Sequence, residues 1–275
     1  MSYFTYLKLL NVFISLFYAY NVMKLISLNT WGGKVFQPLL GFIDEQADDT
    51  DVFCFQEMFD SPVAVTTSSG TRTNLHTEIS RLLPDFAGYF SPAYDGLDID
   101  GNFDFRFSYG LSLFLHSKVS VKRYSGDEFI YGTRNCEKLT CFSRSLQHVT
   151  IVHHGLKYSI AHFHGLWNGK GKGDTPDRIE QSRRVRSIVD RLEGEKILCG
   201  DFNLEPGTQS LAILEEGLVN LVTESGITNT RSYTYYPKPC RYADYVLTSP
   251  AIGVTLFSAL EVDVSDHLPL VLEFD

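Results

Sequence analysis

The chain has 275 residues, 44% of them apolar and including 20 Phe and 15 Tyr, enough for a sizeable core and too many for a disordered tail. Lys and Arg number 24 against 33 Asp and Glu, a net charge of −9, which argues against a protein that coats nucleic acid non-specifically. It does not exclude an enzyme that cuts phosphodiesters, because divalent ions in a carboxylate-rich site reverse the local sign.

Residues 1–22 read as an apolar leader. The stretch LLNVFISLFYAY (9–20) follows Lys8 in the manner of a signal h-region, yet no small-residue cleavage site follows it, and a membrane span takes about 20 apolar residues. Met23 then opens a core strand without a linker. Three readings stay open: a cytoplasmic protein starting at Met23, an exported one, or a membrane-anchored one. A single domain is expected over 23–275.

Short runs rich in β-branched and aromatic residues recur from there on and read as strands: 24–29, 51–57, 109–116, 145–154, 157–165, 196–203, 242–249 and 268–275. Between them, Leu75, Ile79, Leu82 and Leu83 have helical spacing. So do Ile179, Val185, Ile188, Val189 and Leu192, opened by Thr175 and Pro176, and a third helix follows Gly207 through Leu211, Ile213 and Leu214. The stretch Ser91–Phe107, with Asp95, Asp98, Asp100 and Asp104 among glycines, reads as a long surface loop. Strands and helices mixed without a linker predict one α/β domain. Five cysteines without CxxC spacing predict reduced, buried Cys54 and Cys199 in strands, with Cys136 and Cys141 close enough to pair in an oxidising compartment.

Polar residues collect where these strands end: Asn29, Glu57, Asp201 and Asn203 after apolar runs, Asp266 and His267 just before the last strand. One such residue is ordinarily a solvated cap. Six together suggest a site. Asn29, Glu57 and Asp266 offer hard oxygen ligands suited to Mg²⁺ or Mn²⁺ rather than zinc. Asp201 and Asn203, one residue apart in an extended chain, would share a face, so that one orients or deprotonates water while the other holds an oxygen. Asp244 is a candidate partner for His267, since a carboxylate on one imidazole nitrogen fixes the tautomer presented by the other.

In order, LNTW (28–31), FQE (55–57), FHG (163–165), GDFN (200–203), YADY (242–245) and SDHLP (265–269) resemble the motif series of the endonuclease/exonuclease/phosphatase superfamily with the DNase I-like fold. Each tripeptide is weak alone; the ordered set spans residues 23–275. The resemblance implies a four-layer α/β/β/α sandwich, two packed β-sheets flanked by helices, with the site at one edge. It also implies divalent-metal-dependent hydrolysis of a phosphate ester. Carried over by position, Glu57 is the principal metal ligand with Asn29 and Asp266 in the metal site. Asp201 orients or deprotonates water, Asn203 holds a phosphate oxygen, Asp244 and His267 form the carboxylate–imidazole pair, and His164 is a second imidazole aiding charge stabilisation or leaving-group protonation. Many relatives have Asn where this chain has His162, which alternation places on the same strand face as His164; the following Gly165 favours His164.

The loop GLWNGKGKGDTPDR (165–178) follows directly, so Trp167, Lys172 and Arg178 are expected to bind substrate by stacking and by charge. The expected substrate is a nucleic-acid phosphodiester, DNA or RNA. Small phosphorylated metabolites, inositol phosphates and phospholipid headgroups are the alternatives, and a non-catalytic binding protein on the same fold is an alternative of another class. No obligate protein partner is evident and a monomer is expected.

Overall fold

A computed structural model describes residues 22–97, 105–132, 143–239 and 241–275. Alternation decides its layers. In β1 (Met23–Asn29) and β2 (Val52–Asp60), Met23, Leu25, Val52 and Cys54 belong to one apolar cluster and Ile26, Leu28, Phe53 and Phe55 to another, as the period of two in a strand requires. All eight are buried, so this sheet is covered on both faces. One face packs under α1 (Phe36–Ala47) and α2 (Leu75–Leu82) through Leu39, Phe42, Ile43, Leu75 and Ile79. The other meets a second sheet, against which α3 (Pro176–Asp190) and α4 (Gln209–Glu215) pack with Val185, Ile188, Val189, Leu211 and Leu214. The expected sandwich of two packed sheets with helices outside is what forms.

The remaining strands are β3 (Phe86–Leu97), β4 (Arg106–His116), β5 (Ser120–Tyr131), β6 (Arg144–His153), β7 (Leu156–His164), β8 (Glu195–Asp201), β9 (Val219–Asn220), β10 (Asp244–Thr248), β11 (Val254–Ala259) and β12 (Leu270–Phe274). The first sheet runs β11-β12-β1-β2-β4-β3 and the second β5-β6-β7-β8-β10-β9. Each contains one parallel pair, β1 with β2 and β7 with β8; every other pairing is antiparallel. The carboxyl ends of the parallel strands therefore lie beside the starts of their antiparallel neighbours. Asn29, His164 and Asp201 come from ends, and Glu57, expected to close β2, lies inside it, since the strand continues to Asp60; Tyr109, Arg144, Asp244 and the Asp266–His267 pair come from starts or the residues just before them.

Several elements differ from the sequence expectation. Ser91–Leu97 and Arg106–Phe107 are not loop. β3 and β4 pair as far as Leu97 with Arg106, because backbone hydrogen bonds extend a hairpin even where Asp95 and Gly96 supply no apolar signal. Asp98, Asp100, Asp104, residues 1–21, Cys136 and Cys141 lie outside the described residues. Helix α1 buries Leu39, Phe42 and Ile43 at i, i+3, i+4 spacing, but Pro38 and Gly41 inside it disguise that pattern. β5 and β11 are mostly exposed or half-buried strands with little apolar alternation. Cys54 and Cys199 are buried free thiols; burial pushes the Cys54 thiol up, and neighbouring Cys199 adds to the effect.

Gly200 sets the distance between β8 and β7. Its φ is +128°, and a Cβ there would lie 2.2 Å from the Phe163 carbonyl oxygen. Phe163 stacks on Phe202 at 4.6 Å and Phe202 on Tyr245 at 5.3 Å directly beneath the site. Gly200→Ala is expected to lower unfolding free energy by about 2–5 kcal/mol through backbone strain and overpacking. Urea unfolding measures it, and a midpoint equal to wild type would contradict the close approach.

Candidate active site

Asp201, the last residue of β8, is 1% exposed and touches most of the polar residues around it. Its Oδ2 accepts from Asn29 Nδ2 at 3.0 Å and lies 3.5 Å from both His164 Nε2 and His267 Nε2; its Oδ1 accepts the Asn203 backbone N–H at 2.9 Å. Burial opposes its charge, but His267, Lys172 and Arg231 together hold the carboxyl well below the usual range. Such a carboxylate stays ionised and takes up a proton poorly. It is suited to orienting water rather than to storing a proton.

Asn203 reaches the site by a route other than strand alternation. β8 ends at Asp201, and Asn203 is left-handed at φ +54°, held by the Asp201 side chain. This turn, not an extended chain, points Asn203 Nδ2 to His164 Nε2 at 3.1 Å. Glu57 is left-handed too, at φ +55°. It sits on a bulge where β2 carries one residue more than β4 between the Phe55–Ser112 and Met58–Gly110 pairs, a device that re-aims a side chain. Asn29 Nδ2 donates to Glu57 Oε1 at 3.1 Å while Asn29 Oδ1 accepts from Trp31 N–H at 2.9 Å. The sequence reading makes Asn29 an oxygen ligand; here its amide bridges two carboxylates as a donor, because the Trp31 N–H takes the oxygen.

His267 Nδ1 is 2.9 Å from both oxygens of Asp244. The backbone N–H of His267 donates to Ser265 Oγ, which itself donates to the Asn29 carbonyl at 2.6 Å, tying this corner to the end of β1. Burial and the Arg231 guanidinium oppose a charged imidazole, but Asp244, Asp201 and Asp266 outweigh them and raise the His267 pKa. His164 is the opposite case. Burial, with Arg144 adding, lowers it to about 3. It is a neutral ring between Asn203 and the Tyr109 hydroxyl, 2.9 Å from Nδ1, and that weakens the expectation that it protonates a leaving group. His162, also lowered to about 3 by burial, lies between Gln147 Oε1 at 2.7 Å and Gln56 Nε2 at 3.3 Å. It braces the interior and does not join the group around Asp201.

Burial raises the Glu57 carboxyl; His267 and Asn29 oppose this, and Asp266 and Asp201 add to it. Asp266 pairs with Arg231 through Oδ2, while its Oδ1 is buried with no hydrogen-bond partner. Crowded carboxylates and an unmet oxygen fit a hard divalent cation. Asp201, Asp244 and His267 also bring ligand atoms within 4.8 Å of one another. Within that trio His267 and Asp244 already pair with each other.

Tyr109, Arg144 and Arg231 escape the sequence reading. All three are single residues near strand starts or in a turn, without a motif. Arg144 is 4% exposed and its charge acts on both Tyr109 and His164. The substrate loop also differs from expectation. Arg178, 1% exposed, donates to the carbonyls of Leu166, Gly171 and Gly173 and to Asn168 Oδ1. Its guanidinium is consumed in holding the loop, because backbone carbonyls buried there need donors. Lys172, 4% exposed, donates to the Tyr242 carbonyl at 2.6 Å, and its charge acts on Asp201. Trp167 alone of the three is exposed.

Two packed mixed sheets with a carboxylate–imidazole site at the strand ends define a class, the phosphoester hydrolases built on a two-sheet sandwich. The family model described as "Endonuclease/Exonuclease/phosphatase family" matches residues 26–267, and the chain belongs to that family. Its members are phosphoester hydrolases and generally use a divalent metal. No curated protein matches the chain in sequence. Among solved structures, a family protein from Leptotrichia buccalis is 17% identical with a TM-score of 0.67, covering 92% of this chain and 99% of its own. The Bacteroides thetaiotaomicron mannosyl-6-phosphatase Bt3783 is 16% identical, TM-score 0.64, with coverage of 92% and 99%. TDP2 of D. rerio, solved with a single-strand DNA product, is 16% identical, TM-score 0.62, again covering 92% and 99%. At these identities the likeness is one of fold.

The pKa shifts give a titration in metal-free protein. ¹⁵N spectra of the imidazoles should show His164 and His162 neutral from about pH 5 to about pH 8 and His267 protonated above the ordinary value of about 6.5. Protonated His267 favours the folded state, so its contribution is present below about pH 6.5 and fades as pH rises through its raised pKa; His162 and His164 reduce stability as pH falls below about 6.5 toward 3. Asp244→Asn should lower the His267 pKa. An unchanged titration would show that Asp244 does not hold the charge. For the loop, Arg178→Ala should leave buried carbonyls unpaired and lower stability by about 1–3 kcal/mol, which thermal unfolding reads.

Proposed function

We propose that the protein is a Mg²⁺- or Mn²⁺-dependent phosphodiesterase whose substrate is nucleic acid. The observation that carries the reaction class is the convergence on Asp201 of Asn29, His164, His267 and Asn203, with Glu57 and Asp266 alongside. Glu57 and Asp266 would hold the ion and Asn29 would fix Glu57 for it. When bound, a hard divalent ion supplies charge neutralisation to the phosphoryl oxygens.

The chain's own residues supply the rest. Asp201, its carboxyl held low by neighbouring cations, orients the attacking water. Asn203 offers an amide donor to a phosphate oxygen. His267, kept basic by Asp244, stabilises charge on the phosphate, and neutral His164, fixed by Tyr109, offers a polar contact without a proton to release.

Nucleic acid is favoured by a rim of aromatic rings interleaved with cations. Lys34 lies 4.6 Å from the Trp31 ring, whose neighbour is Tyr235 at 5.9 Å; Arg241 lies 4.4 Å from Tyr233, and Lys238 5.6 Å from Tyr236. Trp31 also holds Asn29 through its N–H, so the rim adjoins the site. Stacking rings with cations between them suit bases and phosphates. The likeness to TDP2 with its DNA product supports this reading; the likeness to a mannosyl-6-phosphatase supports a second one, a small phosphorylated sugar.

A panel of DNA, RNA, bis-p-nitrophenyl phosphate, sugar phosphates and inositol phosphates, each with Mg²⁺ or EDTA, tests the reading. Glu57→Gln should remove Mg²⁺-stimulated turnover and keep the fold; full activity in EDTA would sink the metal assignment. Tyr233→Ala and Trp31→Ala should raise KM for DNA or RNA and leave bis-p-nitrophenyl phosphate unaffected. Preference for a sugar phosphate would install the second reading, and hydrolysis of none would leave a binding protein on this fold.

A further inference from the structure

Arg231 has a place in the site that the motif series does not account for. It is 6% exposed, and its guanidinium carbon lies 3.9 Å from the centre of the Tyr236 ring, which fixes its plane. Nη2 pairs with Asp266 Oδ2, Nη1 contacts His267 Nε2 and lies 3.1 Å from Nδ1, and Nε is buried without a hydrogen-bond partner. The backbone around it is equally held. Asn229 Oδ1 accepts the Arg231 N–H at 3.0 Å, Asn229 Nδ2 donates to the Arg231 carbonyl at 2.7 Å, and Ser232 N–H donates to the Asp266 carbonyl at 3.0 Å. Arg231 also forms a backbone bridge with His267.

We propose that Arg231 is a phosphate-binding residue, the protein's own cation at the Asp266–His267 end of the site. The proposal rests on the reading of this site as that of a phosphoester hydrolase. The geometry behind it is the direction of the donors. His267 Nε2 is the nitrogen nearest Asp201 Oδ2, at 3.5 Å, so the Arg231 edge that meets it faces the place where a phosphoryl group would sit. An imidazole is a weak partner for a charged donor in either protonation state, and a phosphate oxygen arriving at that edge is a much better acceptor. Nη2 stays on Asp266, and the rigid planar guanidinium keeps Nη1 aimed at that edge, where its charged donors can meet a phosphate oxygen. Stacking on Tyr236 and the anchored backbone mean that little freedom remains to be lost on binding.

The test is calorimetry on the full chain, with inorganic phosphate titrated into Mg²⁺-loaded protein and Mg²⁺ titrated alone, for wild type, Arg231→Met and Arg231→Lys. Arg231→Met should weaken phosphate binding about ten- to a hundredfold, as expected for lost charge-assisted hydrogen bonds, and Arg231→Lys should weaken it less. Mg²⁺ affinity should stay level or rise, because a neighbouring positive charge is gone. Unchanged phosphate affinity overturns the proposal, as does absence of phosphate binding in wild type. A loss of Mg²⁺ affinity in step with phosphate also overturns it, since Arg231 would then only brace Asp266. Should Arg231→Met fail to fold, ¹⁵N-arginine spectra of wild type decide: the Nε–H resonance missing from Arg231→Lys should shift on adding phosphate, and its indifference overturns the proposal. Because phosphate binding is read without turnover, a chain that binds phosphate through Arg231 but cleaves no ester fails as a hydrolase while the arginine's role stands.

Discussion

A carboxylate shut away from water has to find its charge answered by the protein, and Asp201 is that carboxylate here. Its two oxygens engage an amide from β1, a backbone N–H two residues on and, at longer range, imidazoles from β7 and from the segment before β12. Moving any of these partners would leave a buried charge uncompensated. The site is therefore held together by the same requirement that keeps Asp201 ionised, and the positions of Asn29, Asn203, His164 and His267 follow from it. The strand directions make this possible, since only the edge where parallel strands end and antiparallel strands begin draws side chains from so many separate segments to one point.

The balance of charge around Asp201 also sorts the two imidazoles. His267 has three carboxylates around it and is kept basic; His164, close to Arg144 and buried, is kept neutral. Two histidines at similar depth thus become different reagents through their neighbours alone. Arg144 does part of this sorting, and it stands in no motif that a reading of the sequence could single out.

Much of the fold was legible because the central strands alternate or run apolar over stretches such as Leu25–Leu28 and Val52–Phe55, and because Thr175–Pro176 opens α3 in the manner of a capped helix. The polar residues at strand ends were legible for a related reason: Glu57 or Asp201 directly after a buried run has no business there unless something uses it. What stayed hidden depends on backbone rather than on side-chain pattern. Left-handed Glu57 and Asn203, the bulge in β2 and the hairpin extension to Leu97 are set by pairing between distant segments. The loop after His164 misled for a physical reason too. Its glycines signal freedom, yet the carbonyls of Gly171 and Gly173 accept from Arg178 and Lys172 donates to the Tyr242 carbonyl, so the cations expected to meet substrate hold the loop instead.

Gln56 precedes Glu57 on one sheet, and His162 stands two residues before His164 on the other; the two are linked across the interior, with Gln147 completing the chain. Apolar surfaces tolerate sliding, whereas a hydrogen bond has a direction and a length. This link acts as a dowel between the two plates of the sandwich, so the spacing between the Glu57 half of the site and the His164 half is fixed from inside, out of reach of the surface loops. Change at the surface can then leave the carboxylates, amides and imidazoles around Asp201 in alignment.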